Sequence, residues 1–321
     1  MDLTGWTPVR VHWSAAGPEV EWRWTGATRF ADPFFEETIM RCVNRPFTLL
    51  FGVRTPLEAL RDVAAERTLE PSGFVFHLSR CGSTLVAQML AADPRVRVHS
   101  EPAAIDGVLR ARLAGVPDET ICEWLRWVVG ALGRPSPGES AYVVKLDCWS
   151  TIDLGLFERA FPTTPWVFVY REPEEVLASH LRRPGPQVLP GVLPPQLVGV
   201  DAGSLAEITL EEYAGRVLKR IGDAALEHAS SPCALLVEYA DLPAAVVNHI
   251  APHFGIEFDE AALAAVAVAS TRDAKNPVLP FEPDSAAKRR ELTESGRTIA
   301  QNLLRGVYDR LEAARMEALA C

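Results

Sequence analysis

Two runs near the N-terminus, Val9-Arg10-Val11-His12-Trp13 and Val20-Glu21-Trp22-Arg23-Trp24, alternate apolar and polar residues. That period of two is the pattern of a strand with one face in water. Gly17-Pro18 between them predicts the turn of a hairpin. Asp32-Pro33 and Thr55-Pro56 read as helix starts, a capping side chain followed by proline at the first helical position, and Glu58 completes a capping box with Thr55. From Gly73 the pattern changes. Phe74–Leu78, Arg95–His99, Tyr142–Leu146, Trp166–Tyr170 and Ala234–Glu238 are short strand-like runs, separated by helical stretches such as Leu85–Leu90. Strands that alternate with helices predict a mostly parallel sheet built from right-handed crossovers. The fold class is therefore α/β, with residues 1–72 as a small N-terminal hairpin-and-helix appendage and residues 73–321 as the main domain. Residues 184–200 hold five prolines and three glycines, which predicts an ordered loop or a flap rather than regular structure. The tail from Ala286 to Cys321 is charged and helical in pattern, and there is no internal repeat.

Charge and composition narrow the partners. The 321 residues carry 32 Lys and Arg against 42 Asp and Glu, a net charge of -10, which argues against general nucleic-acid binding and against an anionic membrane surface. No run approaches a membrane span. The start Met1-Asp2-Leu3-Thr4-Gly5-Trp6 lacks the basic and apolar stretches of a leader. Six cysteines lie scattered without a CxxC pair, so they read as reduced thiols of a cytoplasmic protein, with neither a disulfide framework nor a metal site expected.

Ligands of open parallel sheets collect at the carboxyl ends of the strands, often against a helix N-terminus. Ser79-Arg80-Cys81-Gly82-Ser83-Thr84 falls at such a place. Gly82 permits a tight turn, and the adjoining N–H groups and hydroxyls can surround a phosphate. On its own the hexapeptide is equally an ordinary strand-to-helix turn. A second stretch, Arg171 to Ser179, puts an Arg at a strand end, Pro173 at a helix start and a Ser eight residues after the Arg. Arg171 and Ser179 can converge on one phosphate, although an Arg at a strand end is more often an ion-pair partner. Glu101 comes just after the second strand of the domain, at the same sheet end, where it can accept a proton or else cap the next helix. Lys145 lies inside an apolar strand and needs an anionic partner.

Together these stretches resemble the sulfotransferase superfamily, whose P-loop-type fold uses 3′-phosphoadenosine 5′-phosphosulfate (PAPS). The first is similar to its 5′-phosphosulfate loop and the second to its R-x-P-x5-S element for the 3′-phosphate. Val237–Leu242 resembles a strand-to-helix junction common in that family, and Phe254–Phe258 also looks like a family segment. The resemblance runs from about Gly73 to the C-terminus. Arg80 stands where the steroid- and phenol-directed branch has Lys, which looks more like the tyrosylprotein branch. By that likeness Glu101 is the base, Arg80 and Lys145 are catalytic cations, and Ser270 and Lys275 face the donor beside Ser79, Arg80, Cys81, Gly82, Ser83, Thr84, Arg171 and Ser179. The implied reaction moves a sulfuryl group from PAPS, without a metal, to a hydroxyl or amine of a small-molecule or peptide acceptor.

Two other readings stand beside it. A P-loop phosphotransferase needs Gly-Lys-Ser/Thr and a strand-end Asp; the chain has Gly82-Ser83 with no Lys between, though Asp147 could imitate the Asp. A non-catalytic nucleotide-binding protein would keep the pocket without turnover. His77 and His99 read as packing or hydrogen-bonding groups, Trp22/Trp24 and Trp124/Trp127 as hairpin and helix packing, and Cys81 as a small filler whose oxidation would make an enzyme thiol-sensitive.

Overall fold

The five strand-like runs from Gly73 on form one sheet: β4 (Gly73–His77), β5 (Val96–Ser100), β6 (Ala141–Lys145), β7 (Trp166–Tyr170) and β8 (Ala234–Glu238), in the order β5-β6-β4-β7-β8 and parallel throughout. Every residue of β4, β5 and β7 is buried, as expected of parallel strands covered on both faces. After β4 the chain crosses to the β5 side, and after β7 to β8 on the other. Connections that leave adjacent strands in opposite directions open a crevice at their carboxyl ends. The computed structural model describes residues 1–200, 203, 205, 207–282 and 290–320.

The N-terminal hairpin is present as β1 (Trp6–Ser14) and β2 (Gly17–Trp24), paired antiparallel from Trp6↔Trp24 to Ser14↔Gly17. Its turn lies at Ala15-Ala16, so Gly17 and Pro18 already belong to β2. A third strand, β3 (Val53–Pro56), pairs with β2. Thr55 and Pro56 are thus in a strand, and the helix after them starts only at Ala59, with no side-chain cap among the described residues. The sheet won because the Thr55 hydroxyl is the acceptor for the indole N–H of the fully buried Trp22, at 2.9 Å. The other anticipated start is also displaced: the helix is Phe35–Val43, and Asp32 receives the Thr38 hydroxyl and the Arg41 guanidinium instead of capping.

The appendage shares its core with the α/β domain. Val9, Val11, Val20 and Trp22 pack in the same buried cluster as Phe74, Phe76 and Val98. Trp13 donates to the Gly107 carbonyl at 2.8 Å, and Arg134 donates to Leu3 at 3.0 Å. Trp24 lies edge-on to Trp6, Trp124 lies against Trp13, and Arg61 covers Trp127. At the far end the helices Glu294–Ile299 and Arg305–Ala320 account for most of the charged tail; residues 286–289 and 321 lie outside the described residues. Among the described residues no helix is long and apolar enough to cross a membrane.

Candidate active site

The chain turns sharply after β4. Ser79 and Arg80 have φ of 80° and 53°, and Gly82 has 88°. Left-handed backbone at two non-glycine residues costs energy that the surroundings must repay. They do so by pinning each residue. The Ser79 N–H donates to His77 Nδ1 at 3.1 Å, and Ser79 Oγ receives His180 Nε2 at 3.1 Å and Gln187 Nε2 at 2.8 Å. Arg80 donates to the Arg183 carbonyl at 2.7 Å, and the Cys81 thiol to the Val169 carbonyl at 3.0 Å. At Gly82 a Cβ would come within 2.7 Å of Leu242 and 2.9 Å of Tyr239, so the positive φ and the crowding both demand glycine. The helix Ser83–Ala91 begins there, and among the described residues no side chain caps it. First-turn N–H groups need partners from outside the helix, and the Ser83 and Thr84 hydroxyls lie beside them.

Glu101 comes directly after β5 and Lys145 ends β6; the two strands run in register, with Ser100 opposite Lys145. Glu101 also has positive φ, 59°, and its N–H donates to the Lys145 carbonyl at 2.6 Å. That bend turns its carboxylate onto the Lys145 ammonium, which is entirely buried. Lys145 therefore has the anionic partner its strand position requires. His77 Nε2 lies 3.6 Å from the same carboxylate oxygen. Because Nδ1 accepts from Ser79, the His77 proton sits on Nε2, which donates to the Leu146 carbonyl at 3.0 Å. The helix Ala103–Leu109 has Pro102 at its N-cap position and no side-chain cap among the described residues, so Glu101 is not spent on capping it.

The charges explain one another. Burial and the Lys145 cation push His77 down to about 4, leaving it neutral. Burial opposes ionisation of Glu101, but Lys145 and His77 outweigh it and hold the carboxyl below its ordinary range. Lys275 reaches the same cluster from the turn before the exposed strand Asn276–Pro280. Although Lys275 is solvent-exposed as a residue, crowding of its ammonium and the nearby Arg80 and Lys145 cations lower it to about 8. His180, buried and beside Arg80 and Lys275, is pushed down to about 3. Asp147, just past β6, is raised well above the carboxylate range by burial and by Glu101 and Asp106. Cys81 is pushed up to about 11 by burial, so its thiol is protonated and shielded rather than reactive.

The structure thus gathers Ser79, Arg80, Glu101, Lys145 and Lys275, all identified from the sequence. Arg171 is adjacent, but it is buried. Its guanidinium holds Glu175 one helical turn on (Nε–Oε2 2.7 Å, Nη2–Oε2 2.5 Å) and lies 3.9 Å over the Tyr239 ring. Ser179 sits two turns along the same helix, Pro173–Arg182, half-buried. The Ser270 hydroxyl donates back to Ala267 in its own helix. His180, Gln187 and Phe34 belong to the neighbourhood and were not anticipated there. The Lys145 ammonium lies 5.6 Å from the centre of the Phe34 ring. Gln187 had one usable signal, the Pro/Gly density of 184–200: that segment is a strap with Gln187 and Val188 buried. Phe34 had none, since nothing in its spacing links it to β6.

No family model and no curated protein matches the chain. Solved structures do. The sulfotransferase domain of the Synechococcus PCC 7002 olefin synthase is 18% identical with a TM-score of 0.45, covering 78% of this chain and 96% of that domain. Sulfotransferase STF9 from Mycobacterium avium is 12% identical with a TM-score of 0.45, over 75% and 80% of the two chains. Mouse sulfotransferase SULT7A1, solved with PAP, is 12% identical with a TM-score of 0.41, over 82% and 94%.

Proposed function

We propose that the protein transfers a sulfuryl group from PAPS to a hydroxyl or amine acceptor. One observation carries this reading: the Arg80, Lys145 and Lys275 cations and the start of the helix Ser83–Ala91 lie about the Glu101 carboxylate in a chain whose net charge is -10. Lys275 is lowered by burial and by the nearby Arg80 and Lys145 cations, so an added anion is favoured beside it, and a phosphosulfate supplies one. The backbone fits as well, since Gly82 leaves no room for a side chain between the loop and Tyr239.

In this reading the first-turn N–H groups, Ser83, Thr84 and Arg80 hold the 5′-phosphosulfate. Cys81 contributes backbone, because its thiol is tied to β7, while Ser79, whose N–H is held by His77 and whose hydroxyl is held by the strap, fixes the shape of the loop against the phosphosulfate. Arg171, already braced by Glu175, and Ser179 hold the 3′-phosphate, with Ser270 and Lys275 on the donor's open side. When bound, the donor supplies an electrophilic sulfur with a phosphate leaving group. Glu101 takes the acceptor's proton, and Lys145 and Arg80 neutralise charge on the leaving oxygen. While Lys145 holds Glu101, the carboxylate is a weak base; an anion that competes for Lys145 loosens that hold and strengthens it.

Adenosine 3′,5′-bisphosphate, the desulfated product, tests the reading. At about 100 times its Kd it should stabilise the fold by about 2.7 kcal/mol, read as a rise in Tm. ATP with magnesium at the same concentration should do less. A larger rise with ATP would overturn the donor assignment in favour of a phosphotransferase.

A further inference from the structure

Segment 29–37 of the appendage crosses the domain close to the candidate site. Arg29 donates to the Asp93 carbonyl at 3.1 Å, and Gln88 of the helix Ser83–Ala91 donates to Ala31 at 3.3 Å. Phe30 and Phe35 stack on each other, centroids 5.0 Å apart, and both meet the edge of His99, two residues before Glu101. Phe34 is extended, with φ of -131°. Extended backbone sends neighbouring side chains to opposite sides. Phe35 therefore enters the core, while Phe34 remains half-buried and lies over the Lys145 ammonium. An aromatic face over a cation attracts it and keeps water away.

We propose that segment 29–37 is the acceptor-side wall of the site, and that Phe34 is a positioning residue shielding the Glu101–Lys145 pair from water. The inference rests on the sulfuryl-transfer reading. An unshielded site would let water stand in for the acceptor. Water's oxygen would bond to sulfur as the bond from sulfur to the phosphate oxygen breaks, releasing sulfate, adenosine 3′,5′-bisphosphate and a proton. Phe34 belongs to the appendage, so the segment outside the α/β domain completes the reactive pocket.

The test is sulfate release from PAPS with no acceptor present, alongside the Tm rise caused by adenosine 3′,5′-bisphosphate. Phe34→Ala should release sulfate about tenfold faster than the parent, because water then reaches the Lys145 side of the pair. Its bisphosphate response should be unchanged, which certifies the fold and the donor site. Phe34→Leu, keeping an apolar cover, should stay near the parent rate. If Phe34→Ala binds the bisphosphate normally and releases sulfate at the parent rate, Phe34 has no shielding role. A parent that neither responds to the bisphosphate nor releases sulfate removes the underlying function as well.

Discussion

Lys145 has no solvent exposure, and its ammonium is neutralised by Glu101 from the neighbouring strand end. The pair sets two different costs for one substitution. Glu101→Gln removes the proton acceptor, so turnover should fall by about 10²–10⁴. It also strands a buried cation, and breaking a buried pair costs roughly 3–5 kcal/mol. Adenosine 3′,5′-bisphosphate should recover part of the lost Tm by offering Lys145 a new anion. Turnover measured well below that Tm separates the two effects; a Gln variant with parental turnover would end the role of Glu101 as base. His77 makes a separate claim about pH. Its folded pKa, about 4, lies below the ordinary 6.5, so the unfolded chain takes up the proton first as pH falls. Stability from this group is complete above pH 6.5 and is lost toward pH 4, by about 3 kcal/mol. Thermal unfolding of His77→Gln should show a shallower acid decline than the parent.

Elements differ in how much of them the sequence discloses. The strands of the parallel sheet were legible because short runs rich in valine and aromatic residues, set between helical stretches, have few other places to go. β3 was not, because Thr55-Pro56 carries a helix-start signal that pairing with β2 overrides. The positions of the loop after β4 and of Glu101 at strand ends were legible. Their support was not: the bonds from His180 and Gln187 to Ser79 join residues 101 and 108 positions apart. Gln187→Ala should therefore loosen the loop, weakening bisphosphate binding while leaving most of the Tm intact. Arg171 changes standing with burial. Arg171→Ala removes one member of a buried ion pair, so it should destabilise the fold by roughly 3–5 kcal/mol, and Ser179→Ala is the cleaner probe of the 3′-phosphate. Lys275 gives this side of the site a pH signature. With its pKa lowered to about 8, the ammonium is charged below pH 8, and an anionic ligand favours that form. Bisphosphate affinity should be level between about pH 7 and pH 8, where the phosphates are already fully ionised, and fall as pH rises past 8, and Lys275→Met should abolish that fall.

At the scale of the molecule, an acidic chain keeps a cationic site where the loops after β4, β5, β6 and β7 meet. The position of that crevice comes from the strand order, which the alternating pattern of the sequence implies in kind but does not enumerate. The acceptor wall lay outside what the pattern could reveal, because Phe34 reaches Lys145 only through the packing of Phe30 and Phe35 on His99. The central claim is sulfuryl transfer, and mass spectrometry of a metabolite extract incubated with the protein and PAPS, without added magnesium, tests it most directly. A product heavier than its precursor by one sulfuryl group, formed together with adenosine 3′,5′-bisphosphate and sharply reduced with Glu101→Gln, is the predicted result. No such product with PAPS, and instead a phosphorylated product when ATP and magnesium replace it, would contradict the account.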